Sequence, residues 1–284
     1  MDFQFIGSIG LDATYWYMFP IAIVIATIGN MAGIGGGPFF SPIMILLLQL
    51  QPATAIATTV FTKAFGTSSG SFAYFKRELI DFEVALKLLV FILPASLLGL
   101  YLIGIVPKNI LQIILGIGIV LIAYNIFKSP REHELKGRSG HEIIWFSRKR
   151  KTQLSKSYAN QLRLLFGGPL CALGALSDTL IGSGLGEIND YFLIVKSRIP
   201  TKIAVGTSIF IIAVTAIISS IGRLFGSATP VLGILIFTIP GVIIGAQIGA
   251  ALSSHFKPDM LKRVLSVTLL VVGFILAGTG LMIQ

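Results

Sequence analysis

The apolar run from Tyr15 to Leu48 is interrupted in its middle by Gly33-Ile34-Gly35-Gly36-Gly37-Pro38, and 149 positions later Gly182-Ser183-Gly184-Leu185-Gly186-Glu187 interrupts a second such run. Glycine weakens a helix because it holds no single backbone conformation, and proline stops one by removing a donor. Irregular backbone at membrane depth survives only where protein or a water-filled cavity satisfies its N–H and C=O groups. Two breaks at matching places in two halves are the strongest sequence pointer to a transporter's binding site.

The surroundings of the breaks are those of a membrane protein. The chain is 54% hydrophobic and 12% charged, against roughly 25% charged in a soluble domain, and its mean hydropathy is +0.88. It reads as an all-α polytopic membrane protein, one transmembrane domain over 1–284. The first 14 residues carry Asp2 and Asp12 but no Lys or Arg, so a cleavable signal peptide with a basic leader is not expected. Cys171, the single cysteine, reads as a small packing residue and allows no intrachain disulfide.

The net charge of +10 is concentrated. Lys128–Arg163 holds ten Lys and Arg against three acids, a net of +7, including Arg148-Lys149-Arg150-Lys151. This predicts a basic cytoplasmic loop, 128–160, obeying the positive-inside rule and touching anionic membrane lipid, with no nucleic-acid partner.

A spanning helix needs about 20 apolar residues. The sequence predicts segments at 15–34, 38–50, 53–75, 81–105 and 109–127 in repeat 1 (15–127), and at 161–181, 187–197, 201–224, 229–252 and 259–282 in repeat 2 (161–284). The second segment of each set is too short to cross unaided and reads as a half-helix starting at a break. The halves repeat one another. At the offset of 149, Gly33, Gly35 and Gly37 match Gly182, Gly184 and Gly186, Ala55 matches Ala204, and Thr58-Thr59-Val60-Phe61 matches Thr207-Ser208-Ile209-Phe210. Leu93-Pro94-Ala95 and Val106-Pro107-Lys108 have counterparts in Ile239-Pro240-Gly241 and Lys257-Pro258-Asp259. Five crossings per half make the repeats inverted, with both termini outside and Arg223 near the outer face; four make them parallel. The distribution of Lys and Arg favours inversion.

Helix N-termini present unpaired N–H groups and a partial positive charge. The backbone at Gly35, Gly36 and Gly37, and its counterpart at Ser183, Gly184 and Gly186, can therefore face a small anion; the alternative is that the glycines only ease helix packing. The hydroxyls of Thr58, Thr59, Thr207 and Ser208 can donate to an oxyanion at that depth, or bond their own helix. Asn30, one turn before the first break, is a further candidate polar ligand, the alternative being a structural role. Charge inside a bilayer is expensive and usually functional. Lys63, about 15 Å into its helix, can neutralise an anion or pair with a buried acid. Asp178, Glu187 and Asp190, with Asn189, bracket the second break, where the first has Gly29, Pro38, Ser41 and Phe40. This asymmetry makes Asp178 and Glu187 candidates for proton coupling, or else partners for Lys63 or Lys202. His133, His141 and His255 fall in loops without metal-ligand spacing, and there is no P-loop or nucleophile elbow. No metal, cofactor or catalytic residue is expected, and the chain does not read as an enzyme.

The glycine breaks, with Pro52–Phe61 and Pro200–Phe210 after them, resemble the sulfite exporter TauE/SafE family of bacterial and archaeal membrane proteins over about 15–284. In that family each half opens with a break close to G-x-G-G-G, then a Pro/Ala segment and a Thr/Ser-rich helix start. Leu185 and Glu187 depart from the glycine-rich form, and the central loop is long. The resemblance implies transport of small sulfur-containing anions, such as sulfite or organosulfonates, in the plasma membrane. The expectation is an ion-coupled secondary transporter in which one bundle moves against the other; a passive anion channel is the alternative. The sequence leaves oligomeric state, including a homo-oligomer, open.

Overall fold

The computed structural model describes residues 13–103, 105, 117, 120, 124, 164–197, 199–225 and 229–253. The segments predicted at 109–127, apart from three isolated positions, and at 259–282, and the loop 128–160, lie outside the described residues. Among the latter there is no strand. A short 3-10 turn, Ala13–Tyr15, precedes α1 (Met18–Ala32), α2 (Gly37–Leu46), α3 (Pro52–Lys76) and α4 (Phe82–Ile103). The second half gives α5 (Leu164–Ile181), α6 (Leu185–Asp190) with a π-helical turn Tyr191–Lys196, α7 (Thr201–Leu224) and α8 (Leu232–Leu252). Of these, α4, α7 and α8 are long and apolar enough to cross a membrane.

The predicted 187–197 segment differs in kind: it starts at Leu185 and loosens into a π turn after six residues. Its first turn is set by Glu187, whose carboxylate accepts from the Gly184 N–H at 3.1 Å. Prolines start the long third helices: Pro52 lies in the first turn of α3, and Pro200 stands immediately before Thr201 of α7. Proline there loses no helical hydrogen bond.

Each pairing in one half has a counterpart in the other. α1 packs along α8 and α4 along α5; α3 packs on α8 and α7 on α4; α3 and α7 pack on each other. α1 and α8 run in the same direction, because Gly241, Gly245 and Gly249 lie in turn against the carbonyl oxygens of Phe19, Ile23 and Thr27. Small residues spaced by four let the two backbones touch. α4 and α5 also run together, with Gly168 against Phe91 and Gly99 against Thr179. By contrast α3 and α7 are antiparallel: Gly206 meets Tyr74, Gly70 meets Ile209, and Gly35 sits between Thr67 and Ile212.

The outside of the bundle is apolar. Trp16, Phe65, Phe72, Leu86, Val90, Leu98, Tyr101 and Phe166 are all exposed, a surface suited to lipid and unusual for a soluble monomer. The polar side chains are turned inward: Asn30, Thr58, Thr62, Lys63, Thr67, Glu187, Asn189, Ser208 and Arg223 are buried.

Candidate functional site

The two breaks cross at the centre of the bundle. In the first, α1 ends on Gly33 (φ 83°), the chain turns through Gly35 (φ 70°) and Gly36 (φ 83°), and α2 begins. In the second, α5 ends before Gly182 (φ 81°) and Gly184 (φ 122°) leads into α6. These left-handed conformations are cheap for glycine alone. The breaks touch reciprocally. A Cβ on Gly37 would strike the carbonyl oxygen of Gly182, and one on Gly186 would come within 2.7 Å of the carbonyl oxygen of Gly33. Gly33 and Gly182, like Gly37 and Gly186, are 149 positions apart. Residues 33–38 and 181–187 are buried throughout.

Breaking a helix strands its last carbonyls, and here backbone N–H groups and side chains satisfy them. Gly29 O accepts from the N–H groups of Ile34 and Gly35 at 3.0 and 3.1 Å. Tyr74 Oη donates to Asn30 O at 2.8 Å. In the second half Arg223 donates through a guanidinium nitrogen to Thr179 O. Tyr74 and Arg223, and Asn30 and Thr179, again lie 149 positions apart, so equivalent side chains from α3 and α7 cap equivalent carbonyls. Neither capping residue was singled out from sequence as a ligand of the breaks. Extending the offset of 149 from the glycines to polar positions would have paired them. Arg223, expected near the outer face, turns its side chain into the bundle and is 3% exposed.

Lys63 and Asp178 form a buried ion pair. Lys63 Nζ lies 2.6 and 2.7 Å from the two Asp178 carboxylate oxygens and 3.2 Å from Gly182 O. The ammonium thus links α3 to α5 and to the second break, and its stem passes Gly35 and Gly37. Glu187 lies within electrostatic reach of both Asp178 and Lys63. One of its oxygens caps Gly184; the other, Oε1, is buried and has no hydrogen-bond partner among the described residues. The same holds for Ser183 Oγ, for Asn30 Oδ1 and for both side-chain polar atoms of Asn189. Buried polar groups are rarely left so; Glu187, Ser183 and Asn189 belong to the second break and Asn30 precedes the first.

The hydroxyls divide. Ser208 Oγ donates to Asp190 Oδ1 at 2.6 Å, and Asp190 Oδ2 in turn lies against Gly33, so Ser208 is tied to the crossing. Thr59 Oγ1 faces Met44 Sδ at 3.5 Å, close to Gly182. Thr58 and Thr207 are committed elsewhere. Thr58 donates to Thr54 O and accepts from Val231 N–H at 3.1 Å; Thr207 accepts from Asp81 N–H at 3.0 Å. Each holds the segment leading into a fourth helix, α8 or α4, against the third.

The sequence profile described as "Sulfite exporter TauE/SafE" matches residues 18–276. The chain is 23% identical to "Probable membrane transporter protein YunE" of Bacillus subtilis (strain 168), over 92% of this chain and 96% of that one. It is 24% identical to "Probable membrane transporter protein YdhB" of the same organism, over 91% of this chain and 97% of the relative. No solved structure matches the chain.

Proposed function

The chain belongs to the sulfite exporter TauE/SafE family of membrane transporters, and on that premise we propose that it carries a small sulfur-containing anion across the plasma membrane by alternating access, coupled to protons. The observation that carries this reading is the crossing of two broken helices around a buried ammonium, Lys63, already neutralised by Asp178. An anion competes poorly for Lys63 while a carboxylate holds it through two short contacts. A proton arriving at the site changes that balance. Glu187 Oε1 is the atom on which it settles without breaking a hydrogen bond. Passed on to Asp178, it weakens the pair and frees the ammonium for the guest. The unpartnered side-chain groups of Ser183 and Asn189 at the second break, and of Asn30 before the first, are the further donors and acceptors on offer. The burial of Lys63 and Asp178 supports reading the site as occluded.

The antiparallel course of α3 and α7, equivalent helices of the two halves, supports inverted repeats; the basic charge of loop 128–160 favours the cytoplasmic side for it. Inverted repeats exchange their conformations when the site changes sides.

The test is a flux measurement in proteoliposomes. Radiolabelled sulfite is offered at zero membrane potential with a pH-sensitive dye inside. Proton movement in fixed ratio to sulfite is expected. Sulfite flux without proton movement overturns coupling and leaves the passive channel; absence of sulfite flux overturns the substrate.

A further inference from the structure

Arg223 sits in the last turn of α7, where a long cationic side chain can reach the water interface by extending outward. It turns inward instead. Its equivalent, Tyr74, caps the matching carbonyl with a neutral phenol, so capping alone does not call for a charge at this position. A buried charge is retained at considerable cost unless it is matched. Among the described residues no carboxylate stands within ion-pair distance of Arg223. Asp178 lies within its electrostatic reach, but both oxygens of that carboxylate are held by Lys63.

Other polar atoms near it are also unsatisfied. Arg223 Nε is buried without a partner among the described residues, and so are Ser220 Oγ and Ser96 Oγ. Ser220 precedes Arg223 by three positions and therefore shares its helix face. Ser96 likewise precedes Gly99, which lies against Thr179, the residue whose carbonyl Arg223 caps. α4 and α7 run in the same direction here: Phe82, at the start of α4, meets Phe210 of α7 edge-on, and Leu100 lies against Gly222 near the ends of both. Ser96 and Ser220 are thus brought to similar heights. All three residues are more than nine-tenths buried, at 3%, 6% and 1% exposure for Arg223, Ser220 and Ser96.

We propose that Arg223, Ser220 and Ser96 form a second binding stop for a small oxyanion, at the junction of α4, α5 and α7 and apart from the Lys63–Asp178 pair. The guanidinium supplies a fixed charge and a free N–H donor, and each hydroxyl supplies one donor. Planar, permanently charged guanidinium is well suited to an oxyanion. The stop rests on the reading of the protein as an anion carrier and adds to it a second position on the path, one that does not depend on protonation.

The test uses the purified full chain in detergent, with sulfite and sulfate as probes and binding read by calorimetry. Arg223→Tyr reproduces the neutral cap of the first half while removing the charge. It is expected to melt close to the wild type and to bind the probes at least tenfold more weakly; Arg223→Lys is expected to lose less. Binding by Arg223→Tyr within twofold of the wild type overturns the proposal, as does failure of the wild type to bind either probe. Should Arg223→Tyr not fold, Ser96→Ala with Ser220→Ala leaves the cap intact. About three- to tenfold weaker binding per hydroxyl is expected, and unchanged binding overturns the stop. Proton-coupled flux in the wild type together with unaltered Arg223→Tyr binding sinks this stop alone; Arg223-dependent binding without flux sinks the transport reading alone.

Discussion

Lys63→Met removes the ammonium and leaves the Asp178 carboxylate, 7% exposed, without its partner. Gly182 O loses its donor in the same step. Stranding one charge of a buried pair costs about 3–5 kcal/mol, well above the roughly 0.5–1.5 kcal/mol net of the carbonyl bond, so the charge dominates. Asp178→Leu strands the ammonium instead and falls in the same range. The double variant buries neither charge, and buried pairs replaced by apolar groups are often neutral in stability. It is therefore expected within about 1 kcal/mol of the wild type, with a coupling energy between the two sites above about 3 kcal/mol, read from a double-mutant cycle. Reversible unfolding of the four proteins in mixed detergent micelles measures it. Either single variant matching the wild type, or a double variant whose loss equals the sum of the singles, refutes the reasoning. The double variant, folded but without Lys63, is expected to show no sulfite flux in proteoliposomes; normal flux would remove Lys63 from the path.

Gly186→Ala sets a methyl group 2.7 Å from both Gly33 O and Ile34 Cα; overpacking there is expected to cost about 1–3 kcal/mol in the same unfolding assay, with Gly37→Ala at least as severe because its neighbour is also backbone. Tyr74→Phe leaves the buried Asn30 carbonyl without its phenolic donor and is expected to lose about 1–3 kcal/mol of stability; an unchanged midpoint would show the cap to be dispensable. Glu187→Gln keeps a side chain able to cap Gly184 but cannot carry a proton, so the protein is expected to fold normally while sulfite flux loses its proton component, followed with the internal pH dye.

Much of the architecture was legible because it is written in local chemistry. Gly33, Gly36 and Gly182 adopt left-handed conformations that few other residues tolerate, and Pro52 marks a helix start by itself. The period of 149 showed which breaks correspond. Pairings across the bundle are another matter. Nothing local distinguishes a Lys63 that waits for an anion from one held by Asp178, because the choice depends on how α3 meets α5. Thr58 and Ser208 are similar in sequence terms, yet one stitches a connection and the other reaches Asp190. The π turn after Asp190 has no residue signature of its own. Counting helix crossings places the end of a backbone but not the bend of a long side chain, so the inward turn of Arg223 was not legible in the sequence.

The glycine ladder between α1 and α8 has a bearing on how such a bundle can rearrange. Three successive backbone-to-backbone approaches weld a helix of the first half to a helix of the second, and α4 with α5 makes the counterpart seam. Pulling one half away from the other would open both seams and forfeit this close packing. Under the proposed alternating access, the mixed pairs are then expected to move as units over the α3–α7 spine, and cysteines placed across each seam are expected to stay cross-linkable whichever side the site faces.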